Sequence, residues 1–406
     1  MTHSGHPSRL VIILILGALS TVSPFSVDMY LPAFPQIARD LGTTPAEISL
    51  SVSGYFIGLA LGQLFYGPLL DRFGRKPPLY AGLSLFVVAS LGCMAVRSPG
   101  LFVAFRLLQA IGGCAAQVGA VTMVRDFFPV EESAKILSLL MLVLSVSPLA
   151  APTAGSLVAT TIGWPWIFAI LAAFVLLVML LIRLVLPQGQ RPDRDVSLKP
   201  RPILRGFMNV LINPQFFTYA LAGAFSFAGL FVYVTGSPII FIDTFHVDPR
   251  TFGLIFAALA CSFIGGSQLN IWLSRRINGS KIFRTAVIGQ TIIVSAMLLG
   301  AALGWYGLAA NIVLLMLYLP FCGVAYPNAA ATALAPFSRN IGSAAALLGF
   351  LQMGIGALAS TGVGLLHSSD SLPIYAVMAA TAFIGLGILL ANQKQARSRT
   401  DVEIGA

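Results

Sequence analysis

From Leu10 to Val27 the chain runs eighteen residues without a charged side chain, and stretches of this kind recur to its end. About 20 mostly apolar residues are what an α-helix needs to cross the hydrocarbon core of a bilayer, so the chain reads as a series of membrane spans. Only 9% of its 406 residues are charged, against roughly 25% in a soluble domain. Apolar runs and their Gly, Pro and polar punctuation place twelve spans near 10–34, 47–69, 78–96, 101–124, 136–159, 164–186, 215–241, 251–273, 283–303, 307–331, 342–366 and 373–391. No sizeable soluble domain fits beside them. The first run has signal-peptide features, with Arg9 ahead of it and Ala18-Leu19-Ser20 as a cleavage site. It continues past Ser20, however, and reads as a retained span.

The expected fold class is an all-α membrane protein: twelve transmembrane helices in two six-helix bundles, with both termini cytoplasmic. The longest polar gap, about Pro187 to Asn213, carries Arg191, Arg194, Lys199, Arg201 and Arg205 and divides the spans six and six. It separates domains at 1–190 and 214–406, joined by a cytoplasmic linker over 191–213. With the N-terminus inside, twenty of the 24 lysines and arginines fall on inner connections and tails, and only Arg39, Arg97 and Arg250 on outer ones, as the positive-inside rule requires. The formal net charge of +10 is therefore topology and not a nucleic-acid footprint. Cys93, Cys114, Cys261 and Cys322 are scattered without a C-x-x-C spacing, and His3, His6, His246 and His367 lie outside the spans. No disulfide, metal site, cofactor or enzymatic cluster is expected. Two six-span halves around a long loop suit a transporter built from repeats, with its substrate near the midplane. A channel or receptor also has many spans, and the motifs decide.

The first span carries an acid, in Val27-Asp28-Met29-Tyr30-Leu31-Pro32. An ionisable residue at that depth is a functional-site hypothesis. Asp28 lies nineteen positions beyond Arg9, and Arg106, in the fourth span, nineteen positions before Arg125. At about 1.5 Å per residue both lie about 28 Å from their cytosolic ends. As the only firmly intramembrane acid and base, they form a natural pair. Proton exchange on Asp28, as a cavity opens outward and then inward, would then weaken its hold on Arg106 or on a cationic substrate. Pro32 and Pro35 follow closely, so a structural role bonding the outer helix end stays open.

The connection after span 2 reads Gly67-Pro68-Leu69-Leu70-Asp71-Arg72-Phe73-Gly74-Arg75-Lys76-Pro77. Gly67 permits close backbone approach and Gly74 suits a tight turn, while the basic residues favour a helix C-terminus. Asp71 opposes that dipole and needs a partner; the start of span 11 near Ile341-Gly342 is a candidate, and a solvated basic turn is the plain alternative. The matching stretch after span 8, Ser274-Arg275-Arg276-Ile277-Asn278-Gly279, has no acid. Span 4 reads Arg106-Leu107-Leu108-Gln109-Ala110-Ile111-Gly112, where Gln109 either lines a cavity or bonds a neighbouring helix. Span 5 holds Pro148, Pro152 and Gly155, which bend a helix and leave its surface small.

These stretches resemble the motifs of the major facilitator superfamily. The loop after span 2 is similar to its signature between spans 2 and 3, which implies a conformational latch at Gly67, Asp71, Arg72, Gly74, Arg75 and Lys76. Span 4 resembles the motif whose arginine is tied to proton coupling, a role implied for Arg106. Span 5 looks like the antiporter motif, with Ala151 and Ser156 where glycine is usual. The runs VDMYLPAFP at 27–35 and Gly342 to Gln352 resemble drug exporters of the bicyclomycin and chloramphenicol resistance type. The resemblance is dense in the first half and thin from about 210 to 335. It implies a monomer in the bacterial inner membrane, driven by the proton gradient without a cofactor, that exports drug-sized, largely apolar compounds. Tyr30, Tyr55, Gln109, Phe231, Asn328 and Gln352 are the substrate-cavity candidates. A proton-coupled importer of a sugar or organic acid is the alternative within transport, and a membrane enzyme or sensor the alternative outside it.

Overall fold

A backbone without water to bond must satisfy its N–H and C=O groups internally, and in the computed structural model every regular element among the described residues is helical. The structure describes residues 8–187, 189, 192–193, 200–304, 307–337, 341–365 and 371–404. In chain order the helices are α1 (Arg9–Asp28), α2 (Phe34–Asp40), α3 (Pro45–Phe73), α4 (Lys76–Ala95), α5 (Pro99–Phe127), α6 (Val130–Thr161), α7 (Pro165–Leu184), α8 (Pro200–Leu211), α9 (Pro214–Pro238), α10 (Pro249–Leu273), α11 (Gly279–Leu303), α12 (Leu308–Leu334), α13 (Ile341–Leu365) and α14 (Leu372–Ile404). Among the described residues, eleven helical stretches are long and apolar enough to span a bilayer. Helix α6 stands where the sequence predicts the fifth span. Several helices outrun the expected spans, as α3 does to Phe73 and α14 to Ile404, because charged residues end the apolar stretch without ending the backbone ladder.

Two interruptions matter for the site. Helix α1 stops at Asp28, and Leu31–Ala33 forms a single 3₁₀ turn before α2; Pro32 and Pro35 lack the N–H donors that an unbroken ladder needs. Helix α9 passes through Pro238 into a π-helical stretch, Ile239–Thr244. The region expected to be a linker contains α8, a helix masked in the sequence by its prolines and arginines.

The chain gathers into two compact units: residues 1–44, 54–200 and 249–257 form the first, and 45–53, 201–248 and 258–406 the second. In the first, α1 packs on α5, α6 and α7, and α4 on α5 and α7. The α4–α5 crossing is close because it is glycine on glycine: a β-carbon on Gly112 would come 2.5 Å from the Gly82 carbonyl oxygen, the small-residue packing that lets membrane helices approach. In the second, α9 packs on α12, α13 and α14, and α11 on α12 and α14. Its core includes Phe283, Val287, Ala325 and Leu389.

Candidate transport site

Helix α5 starts at Pro99 behind the Ser98 cap, whose hydroxyl accepts from the Leu101 N–H, and carries Arg106 into the first unit, completely buried. A guanidinium there needs acceptors for its donors. Its Nη1 donates to Ser26 Oγ at 2.8 Å and to Gln109 Oε1, and its Nη2 donates to the Ser26 carbonyl at 2.9 Å. Three rings surround the cation: its central carbon is 4.3 Å from the ring centre of Tyr30, 4.4 Å from Tyr55 and 5.7 Å from Phe168. Facing π-clouds stabilise a desolvated cation. Gln109 extends the network by donating from Nε2 to Ser90 Oγ at 2.6 Å, and Ser90 donates to the Phe86 carbonyl at 2.7 Å. Tyr30, Phe102, Phe168 and Trp164 interlock behind it, by edge contacts except for the tilted pair of Tyr30 and Phe168. Trp164 is anchored in turn by donating from Nε1 to Asp40 at 2.7 Å.

The expected pair between Asp28 and Arg106 is not formed: among the described residues no carboxylate contacts the guanidinium. The reason is helical phase. Ser23, Ser26 and Tyr30 recur at i, i+3 and i+7 and face α5, where a β-carbon on Gly113 would lie 2.9 Å from Ser23 Oγ. Asp28 is two residues from Ser26, about 200° around the helix, and points to another side. It shares the face of Gly17, three turns earlier, whose β-carbon position is 3.5 Å from Val143 of α6. Asp28 is buried, with 7% of its surface exposed.

Helix α6 runs unbroken through Pro148 and Pro152. Gly155 is buried, and a β-carbon there would overlap the carbonyl of Met29, the residue after Asp28. Glycine at 155 thus lets α6 lie directly against the end of α1. On the next stretch of α6, the Thr153 backbone is 3.3 Å from the β-carbon position of Gly253 in α10.

In the turn after α3, just ahead of α4, Arg75 is 5% exposed and forks between two acids. Its Nη1 donates to Asp71 at 2.6 Å, while Nε and Nη2 donate to the two oxygens of Asp126 at 2.7 and 3.2 Å. Burial works to lower the Arg75 pKa, but hydrogen bonds and charge from Asp126 and Asp71 outweigh it and raise the pKa above its ordinary value. Asp71 therefore finds its partner four residues away. Gly74 has a φ of 79°, the left-handed conformation that glycine adopts without strain. Among the described residues nothing stands within 4 Å of a β-carbon on Gly67, so they do not make the close approach expected there. Arg72 lies over the Phe73 ring at 6.0 Å. Lys76 donates to the Ile182 and Leu186 carbonyls at 3.3 and 2.7 Å, tying α4 to the end of α7. The following chain settles on this turn, where the Asp193 N–H donates to the Asp71 carbonyl at 3.0 Å.

Of the cavity candidates, Tyr30, Tyr55 and Gln109 come together around Arg106. The other three belong to the second unit. Phe231 packs by its ring edge on Phe227, 5.3 Å between centres, and against Gly356. Asn328 donates from Nδ2 to Asn270 Oδ1 at 2.5 Å and to the Val324 carbonyl at 2.8 Å, joining α12 to α10. Gln352 is buried in α13. Sequence reading missed Ser26, Ser90, Phe168 and Asp126. Asp126 leaves a signal, an acid beside Arg125 where the span ends; the two serines leave none beyond being polar in apolar runs.

A helical membrane bundle built around a buried arginine, with a carboxylate–guanidinium cluster at the turn between α3 and α4, holds polar groups where apolar ones are expected, and its relatives make it a membrane transporter and not an enzyme. The chain belongs to the Major Facilitator Superfamily, whose profile matches residues 16–361. It is 30% identical to the bicyclomycin resistance protein homolog of Haemophilus influenzae over 93% of this chain and 95% of that one. It is 28% identical to the multidrug resistance protein MdtL of Escherichia coli, over 83% of this chain and 84% of that one. Among solved structures, the xylose transporter XylE from E. coli, in a partially occluded inward open conformation, shares the fold with a TM-score of 0.73 at 14% identity, over 94% of this chain and 97% of that one.

Proposed function

We propose that this transporter exports drug-sized, largely apolar compounds of the chloramphenicol or bicyclomycin kind across the bacterial inner membrane, in exchange for protons, by alternating access. The reading includes twelve spans in two six-helix bundles, α6 being the fifth, with both termini cytoplasmic and residues 191–213 as the link. It takes small-molecule substrate and protons as the partners, a monomer as the working unit, and no cofactor beyond the proton gradient. The relatives named for bicyclomycin and multidrug resistance support the substrate class.

One observation carries the mechanism: the segment from Ser26 to Tyr30 is gripped from two sides. Arg106 holds Ser26 and stacks on Tyr30, while Gly155 of the antiporter helix abuts Met29. Asp28 sits inside this grip. A proton arriving on its carboxylate removes a charge from a low-dielectric site, where charge is costly, and so changes which seating of the segment is favoured. Arg106 acts as a fixed positive post with its donors on Ser26 and Gln109, and Asp28 is the proton carrier. Movement of the segment against Gly155 then passes the change to α6. The test is substrate flux in proteoliposomes under an imposed proton gradient. Extrusion driven by inward protons is expected of the exporter, and substrate accumulation in the direction of proton flow would instead establish the importer.

A further inference from the structure

Helix α8 presents one broad apolar face, and the described residues of the protein cover only part of it. Val210 is 1% exposed and, with Phe207 and Leu211, packs on Phe216, Ala220 and Ala344 of the second unit. Leu204, Met208 and Ile212, spaced four apart and so on one stripe, are 60%, 54% and 70% exposed. Arg205 and Asn209 border this stripe and are exposed as well.

The position of α8 is fixed by its junction with the next span. Asn213 caps α9 by accepting from the Gln215 and Phe216 N–H groups at 3.0 Å each, and the Ile212 N–H still bonds the Met208 carbonyl at 3.0 Å. The stripe therefore arrives where α9 enters the membrane and continues into the exposed Phe217 of that span. A helix with one docked face, one bare apolar stripe and a basic border suits the boundary between headgroups and acyl chains. Lys199, Arg201 and Arg205 put the sequence's positive charge on the same short segment, complementary to anionic lipid.

We propose that α8 is an interfacial helix seated on the bilayer, with Leu204, Met208 and Ile212 in the acyl boundary and Arg205 on the phosphates of anionic lipids. The occupant of the stripe is the lipid surface that already surrounds α9. The full chain is tested in nanodiscs of zwitterionic lipid with and without phosphatidylglycerol, with exposed Cys261 changed to Ser and the buried Cys93, Cys114 and Cys322 retained. Nitroxides are placed one at a time by Leu204→Cys, Met208→Cys and Asn209→Cys. Labels at 204 and 208 are expected to be relaxed by oxygen and protected from a water-soluble nickel chelate, with the reverse at 209. Arg205→Gln is expected to shift the label at 208 toward nickel access in the anionic bilayer only. Nickel access at 204 and 208 equal to that at 209 overturns the proposal, and so does spin–spin broadening at 208, which would mean that a second copy covers the stripe. If the labelled proteins do not fold, Ile212→Trp with brominated lipids reads the same face against the native tryptophans of the unsubstituted chain: added emission that the brominated lipids quench supports the seat, and added emission that they leave unquenched removes it.

Discussion

Met29 and Gly155 meet backbone to backbone, with the Met29 carbonyl filling the space a side chain at 155 would occupy. The acid of α1 therefore sits beside a joint between α1 and α6 that tolerates no added atom.

Gly155→Ala is expected to force the joint apart. Overpacking of this kind costs about 1–3 kcal/mol, and here it falls on the segment bearing Asp28, so flux should drop more than thermal stability does. Gly354→Ala is the control: nothing among the described residues lies within 4 Å of its β-carbon position, and replacing a helical glycine by alanine is neutral or stabilising by up to about 1 kcal/mol. Melting temperature and flux on both variants check the contrast.

Arg106→Lys keeps the charge but loses the planar fork that reaches the Ser26 hydroxyl, its carbonyl and Gln109 together. Gradient-driven flux is expected to fall about tenfold or more, roughly 1.4 kcal/mol. Tyr55→Phe keeps the ring 4.4 Å from the cation and should fall much less. Equal losses in the two variants would remove the ring-and-fork description of the site.

The Arg75 ion cluster is expected to fail from the Asp126 side as well as the Arg75 side. Asp126→Asn removes the buried carboxylate from the largely buried Arg75 and leaves the half-exposed Asp71 beside it, and breaking a buried pair costs about 3–5 kcal/mol; access of Asp71 to solvent brings the expectation to the lower end. Since the Arg75 pKa is raised, its contribution is complete below the ordinary guanidinium pKa and is lost only as pH rises through the folded value. Denaturation of the wild type from neutral to moderately alkaline pH should show no loss traceable to this group.

Asn270 and Asn328 are expected to behave as one unit. Each single change to Ala strands a buried amide, at about 1–3 kcal/mol, and the double change should cost clearly less than the sum. A thermal-melt cycle measures this. If Asn328 contacts substrate instead, Asn328→Ala will alter the substrate range while Asn270→Ala leaves it intact.

Much of the fold was legible in the sequence because spans announce themselves by length and apolarity. Arg106, the loop from Gly67 to Lys76 and the Pro148–Gly155 stretch stood out as charges and breakers in places where neither is cheap. Depth counting failed for Asp28 and Arg106 because it measures height along a helix and ignores phase: Ser26 faces α5, and Asp28, two residues on, cannot. Ser26 and Ser90 were invisible because a hydroxyl can turn back to its own helix carbonyl, and only the fold shows which one receives Arg106 or Gln109. Helix α8 was hidden by prolines and arginines that read as linker, although its four-residue stripe was present all along.

The central claim, that Asp28 carries the proton while Arg106 is a fixed post, is tested most directly by Asp28→Asn in proteoliposomes. Substrate exchange without a gradient is expected to persist, and extrusion driven by an inward proton gradient to disappear. Gradient-driven extrusion at the wild-type rate in Asp28→Asn would contradict it.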